Sequence, residues 1–345
     1  MKVGIIGFEY AGRRSLFSLL TGIPYQTVCR QEGCVGAVSV PDQRVDRLAQ
    51  MYASRKKTYT QVVFSLLPPV RVDSAENRAA IAEARDVDLF AIVVRSFTDA
   101  SVFHPRGTVD PVRDFEGVRS EMLFADLYLA ETRLERIAKQ ERVKPGEVNQ
   151  LEKKTLLQFK EHLEGGGMLN TLTVDEAALR SVRSLQFLTL RPVFVVINSD
   201  EGDTTATPMP GGVHTICMPV KIEAEIQQLP EHERREFMDS LGITESSLDR
   251  LVRFAYQAGD LQTFITAGEK ETRSWTIRRG ATALEAAGTI HSDFEKGFIR
   301  AEVVAFDDLI AAGSETEAKK RGLYRLEGRD YVVRDGDVML FRFNV

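Results

Sequence analysis

Short, almost continuously apolar runs punctuate the chain at Lys2–Ile6, Gln61–Leu67 (QVVFSLL), Leu89–Arg95 (LFAIVVR) and Pro192–Asn198 (PVFVVIN). A strand covered by helices on both faces reads this way, because neither face meets water. Helical stretches lie between the runs. The first of them, Arg14–Thr21, carries Leu16, Phe17, Leu19 and Leu20. Strands alternating with helices predict an α/β fold, a mostly parallel sheet with right-handed crossovers and helices on both faces.

Further along, the period changes. Leu123, Leu127, Ala130, Leu134 and Ile137 step by four and three, as the a and d positions of a helical seam do. Lys144-Pro145-Gly146 interrupts the pattern, and a second polar helix, Glu147–Glu164, ends at three glycines. Residues 119–187 are therefore expected to form a helical coiled-coil insertion; two surface helices lying on the sheet would share the same period. From about residue 261, TFITAG, RSWTIRRG, RAEVVAF, GLYRLEG and DVMLFRF alternate polar and apolar residues around one helix, Ala283–Ser292. That predicts a small α+β module. The expected division is 1–118 with 188–260 for the sheet domain, 119–187 for the insertion and 261–345 for the module.

Composition narrows the class. The 345 residues carry a net charge of -5, so the whole molecule has no electrostatic pull toward nucleic acid. Three cysteines, Cys29, Cys34 and Cys217, argue against a disulfide framework and fit a reducing compartment, and their spacing is poor for zinc. No apolar run of membrane-spanning length or signal-peptide pattern occurs, and a cytoplasmic protein with no membrane contact is expected.

The stretch GFEYAGRRS, Gly7–Ser15, follows the first strand and opens the first helix. Its two glycines have the spacing of a phosphate-binding loop, G-x-x-x-x-G-K-[ST], in which the lysine reaches the terminal phosphates and the hydroxyl ligates magnesium. Arg13 stands at the lysine, and it can fork onto phosphate but is bulkier and planar. Arg14 stands at the hydroxyl and has no acceptor for a metal. On this stretch alone, a glycine turn of some other α/β fold is as good a reading.

Longer stretches separate the two readings. WTIRRGATALEAAGTIHSDFEKGFIRAEVVAFDDLI and YRLEGRDYVVRDGDVMLFRFNV resemble the TGS domain of the YchF branch of the Obg-like GTPases almost residue for residue. VDPVRDFEGVRSEMLFADLYLAETRLERI resembles the start of that family's helical insertion, and FVVINSDE its base-recognition strand. The resemblance implies a P-loop domain of the translation-factor class, a coiled-coil insertion, a TGS domain, nucleotide hydrolysis with ATP usually preferred over GTP, and association with ribosomes.

The family pattern is kept unevenly. Gly7, Gly12 and Ser15 agree with its phosphate loop, Asn198 and Glu201 with its N-x-x-E base motif, and Lys221 with the lysine beside the base. Against these, Arg14, Arg30 and Leu66 stand where the resemblance implies magnesium contacts, and Pro69, which has no N–H, stands where a glycine amide senses the γ-phosphate. Gly7, Gly12, Arg13, Arg14, Ser15, Asn198, Glu201 and Lys221 are the expected nucleotide contacts; no catalytic or metal-ligating residue is assigned. ATP or GTP is expected to bind weakly, and Mg²⁺ is not expected to be held by the protein. Either the arginines neutralise phosphate without a metal, or they fill the cleft and pair with carboxylates such as Glu9 or Glu32. An empty or anion-occupied loop is the expectation. Two functions remain: a weak or non-hydrolysing nucleotide binder that associates with the ribosome or RNA, and an active, altered ATPase or GTPase that uses Arg13, Arg14 or Arg30 in place of metal.

Outside this stretch, His104 reads as a structural histidine rather than a ligand. Phe294 and Phe298, interleaved with Lys296 and Arg300 beside His291, read equally as an RNA contact or as core. Trp275 reads as core.

Overall fold

The computed structural model describes residues 1–30, 33–72, 74, 76–77, 81, 83–144, 146–203, 207–230, 232–234 and 246–344. Its strands are β1 (Lys2–Ile6), β2 (Val35–Ser39), β3 (Lys57–Thr58), β4 (Gln61–Leu66), β5 (Leu89–Arg95), β6 (Val193–Asn198), β7 (Thr215–Met218), β8 (Leu261–Thr266), β9 (Thr272–Arg278), β10 (Phe298–Ala305), β11 (Arg325–Glu327) and β12 (Asp337–Phe343). The helices that matter below are α1 (Arg13–Thr21), α2 (Tyr25–Arg30), α3 (Gln43–Met51), α4 (Pro111–Val143), α5 (Gln150–Glu164), α6 (Val220–Gln228) and α7 (Ala283–Ile290). The chain forms two compact units, Met1–Ala37 with Val63–Leu251, and Val38–Val62 with Val252–Val345.

The first unit is built on a sheet of order β2-β4-β1-β5-β6-β7, with β1 parallel to β4 and β5, β5 parallel to β6, and β6 parallel to β7. The four apolar runs of the sequence are β1, β4, β5 and β6, and every residue of β5 is buried. The four-residue β7 is too short to announce itself by pattern. One core joins Ile6, Phe90, Ile92, Val195 and Ile197 of the sheet to Phe115, Val118, Met122 and Ala125 on α4.

Asp110 caps α4 through the Arg113 N–H, and Pro111 opens its first turn, where no N–H is needed. The helix then leaves the sheet and turns a different stripe inward. Leu123, Ala130 and Ile137 are buried with Leu156, Phe159 and Leu163 of α5, and Leu127 and Leu134 pack on the same cluster. The seam seen in the sequence is thus the contact between the two helices. The second helix starts at Gln150 rather than Glu147, because the Asn149 side chain accepts from the N–H groups of Leu151 and Glu152 and fixes the start there. Pro145 of the breaker lies outside the described residues. Where the chain returns to the sheet, buried Asp126 of α4 accepts from the N–H of Leu188 (3.1 Å) and the N–H and hydroxyl of Thr189 (2.7 and 2.8 Å).

The second unit carries a sheet of order β11-β10-β12-β8-β9-β3. Its pairings are antiparallel except β12 with β8 and β3 with β9. Helix α7 begins with a reciprocal cap between Thr282 and Glu285 and buries Ala283, Ala286 and Ala287. Phe298 belongs to this core and Phe294 packs partly buried against it, which favours the core reading of that pair. Trp275 stacks on Phe264 and donates its Nε1–H to the Thr266 hydroxyl.

Candidate functional site

The turn from β1 into α1 lies at the carboxyl end of the parallel strands, where open α/β sheets place their ligands. A Cβ at Gly7 would sit 2.3 Å from the Val93 carbonyl oxygen of β5. Gly12 has a φ of 96°, and a Cβ there would sit 2.2 Å from Nδ2 of Asn198. Only glycine lets the backbone come this close. Asn198 is buried at the end of β6. Its Nδ2 donates to the Ala11 carbonyl at 3.1 Å and its Oδ1 accepts from the Val220 N–H at 3.2 Å. One side-chain amide therefore fastens the loop, the end of β6 and the start of α6.

Arg13, the first residue of α1, is 7% exposed. Its Nε donates to the Phe8 carbonyl at 3.3 Å and its Nη1 to the Leu67 carbonyl, just past β4, at 2.8 Å. Its δ-carbon would lie 3.1 Å from a Cβ on Gly7, so the stem runs over the first glycine of the loop. Burial, reinforced by Arg14 and opposed by Glu9, lowers its pKa to about 10, which leaves it cationic at neutral pH. The segment after β4 closes on the same loop. Val70 donates its N–H to the Gly7 carbonyl at 3.0 Å, and Arg71 pairs with Glu9 at 3.0 Å. Of the two arrangements expected for the arginines, Arg13 takes the one inside the loop, with its guanidinium on two carbonyls rather than on a carboxylate. Glu9, the carboxylate nearest in sequence, is paired with Arg71 instead. Glu32, the other carboxylate considered, lies outside the described residues.

The remaining positions are spread along the same edge. Arg14 is exposed; its charge partly offsets the upward shift that a hydrogen bond with Cys29 and burial give the Tyr25 hydroxyl. Ser15 follows, half-buried. The first turn of α1 contains no acidic residue, so the positive end of its dipole faces two arginines. Arg30 ends α2 in solvent, Leu66 is buried in β4, and Pro69 is half-buried. The side chains of Arg14, Arg30 and Leu66 offer no oxygen to a metal. Glu201 is exposed in the turn after β6 and Lys221 on the first turn of α6. The Ser101 hydroxyl and N–H hold the Asp99 carboxyl low, with a smaller contribution from the Lys221 charge. The structure thus brings Gly7, Gly12, Arg13 and Asn198 together. It leaves Arg14, Glu201 and Lys221 in solvent.

One organising residue escaped the sequence reading. Arg95 ends β5, is 3% exposed, and donates to the carbonyls of Phe97, Asp99, Val102 and Phe103 at 3.0–3.1 Å. A lone cation closing an otherwise apolar strand was the available signal. His104 is buried with Nε2 3.0 Å from Asp114, a structural role.

The comparisons agree along the whole chain. A family model, YchF-GTPase_C, described as "Protein of unknown function (DUF933)", matches residues 261–344. The ribosome-binding ATPase YchF of Haemophilus ducreyi is 37% identical over 362 residues, covering 100% of this chain and 99% of that protein. The protein of the same name from Bacillus subtilis is 35% identical over 366 residues, covering 100% of both. The structure of the Schizosaccharomyces pombe YchF GTPase superposes with a TM-score of 0.83 at 28% identity, over 99% of this chain and 97% of that one.

Proposed function

The chain belongs to the YchF family, and from that premise we propose that it is a cytoplasmic ribosome- or RNA-associated binding protein in which nucleotide hydrolysis is absent or barely measurable. It keeps the nucleotide-binding fold as a scaffold. Any ATP or GTP is held weakly through Gly7, Gly12, Arg13, Arg14, Ser15, Asn198, Glu201 and Lys221. The helical pair α4–α5, read as a coiled coil, and the module 261–345, read as a TGS domain, supply its contacts.

The observation that carries this reading is Arg13, buried in the loop with its donors on the Phe8 and Leu67 carbonyls. In a working loop the cation at this position reaches the terminal phosphates, and a metal neutralises the charge that develops there. Arg14, Arg30 and Leu66 disagree with such a metal, because none of them has a ligand atom. A triphosphate with its Mg²⁺ therefore does not fit this donor set. Losing metal and sensing contacts removes several kcal/mol of transition-state stabilisation, roughly 10³-fold or more in rate.

Two measurements on the full chain test the proposal. Phosphate release from ATP and GTP is expected to stay at the buffer blank with or without Mg²⁺, and the protein is expected to co-sediment with ribosomes. Magnesium-stimulated turnover well above the blank would instead establish the altered hydrolase. Failure to co-sediment with ribosomes or to bind RNA would remove the partner.

A further inference from the structure

We propose that the cleft is built for a nucleoside diphosphate without a metal, and that Arg13 is the residue that excludes the terminal phosphate of a triphosphate. The inference rests on reading Gly7–Ser15 as the nucleotide loop.

A terminal phosphate in a loop of this kind lies between the loop and the segment that follows the neighbouring strand, where it meets the lysine and a backbone amide. Here that gap is bridged from within. The guanidinium joins the Phe8 carbonyl on one side to the Leu67 carbonyl on the other. Beside it, the Val70 N–H is bonded to the Gly7 carbonyl, and Phe8 and Val70 pair as an isolated parallel bridge. Pro69 has no N–H to offer. A third phosphoryl group would have to break two charge-assisted hydrogen bonds and would meet carbonyl oxygens instead of donors.

The rest of the cradle favours a shorter anion. The first turn of α1 has no acidic side chain and presents Arg14 to solvent at the positive end of the helix dipole. Asn198 holds the loop in its glycine-dependent shape through Ala11. Arg14 and the helix N-terminus thus leave free positive charge for a diphosphate at the near end, whereas the charge of Arg13 at the far end is already engaged by the carbonyls of Phe8 and Leu67.

Titration calorimetry on the full-length protein with ADP, GDP, ATP and GTP, in EDTA and in Mg²⁺, tests this. The diphosphates are expected to bind about ten-fold or more tightly than the triphosphates, with no gain from Mg²⁺. In Arg13→Ala the gap should close or reverse; Arg13→Lys, which restores the usual cation of such loops, should shift the preference the same way if the alanine variant does not fold. Triphosphate binding equal to or tighter than diphosphate in the wild type overturns the inference. So does an unchanged ratio in both variants, or no binding of any nucleotide at millimolar concentration. Ribosome co-sedimentation of the same preparation reads the broader proposal separately.

Discussion

Replacing Asn198 by alanine removes two buried hydrogen bonds at one stroke. The Ala11 carbonyl loses its Nδ2 donor at 3.1 Å and the Val220 N–H loses its Oδ1 acceptor at 3.2 Å, in a place where the side chain is only 6% exposed. Leaving a buried backbone group unpaired costs about 1–3 kcal/mol, so the pair should cost roughly 2–4 kcal/mol after local relaxation. For a unit of this size each kcal/mol moves the melting temperature by about 2–4 °C, which predicts a drop of roughly 4–16 °C. Asn198→Asp should be at least as damaging, because a carboxylate keeps the acceptor for Val220 but turns an oxygen toward the Ala11 carbonyl. Glu201→Ala, on the exposed partner of the same sequence motif, should stay within about 0.5 kcal/mol. Differential scanning calorimetry of the three variants against the wild type is the assay. If Asn198→Ala melts within about 2 °C of the wild type, the amide is not the fastening described above.

Other sites give sharper or smaller effects. Gly12→Ala places a Cβ 2.2 Å from Asn198 Nδ2 on a backbone with φ of 96°, so it should destabilise by about 2 kcal/mol or more in urea unfolding. Asp126→Ala strands the N–H groups of Leu188 and Thr189, and a loss of about 3 kcal/mol is expected, with early protease cutting near residue 188 as a second readout. In the second unit, burial raises the Asp46 carboxyl pKa, but the hydrogen bonds from Lys57 and Tyr59 outweigh it and hold the group below its ordinary value. A depressed acid stabilises the fold above its unfolded pKa, near about 4, and loses that contribution as pH falls through the folded value. The advantage of the wild type over Asp46→Asn should therefore be constant from neutral pH down to about 5 and shrink below about 4; an advantage that grows on acidification contradicts the assignment.

The parallel sheet was legible because strands buried on both faces must be apolar throughout, as β5 is. The helical pair was legible because Leu123, Ala130 and Ile137 repeat at the period of a helix contact. Less local features were not. The two-residue β3 joins the second unit by pairing Lys57 with Thr272 and Thr58 with Arg273, a non-local contact with no pattern to mark it. The sequence placed an arginine at the lysine of the phosphate loop, but its direction depends on where the Phe8 and Leu67 carbonyls point, and only the folded backbone decides that. Arg95 was hidden for the same reason, since its four acceptors are main-chain oxygens that any sequence would supply.

The central claim is that Arg13 stands in place of a metal-bound terminal phosphate. Crystals grown with a non-hydrolysable triphosphate and Mg²⁺ test it most directly. The account predicts the guanidinium still on the carbonyls of Phe8 and Leu67, with no ordered hexacoordinate ion beside the loop. Arg13 swung out of the cleft, with a γ-phosphate and an octahedral Mg²⁺ in its place, would contradict it.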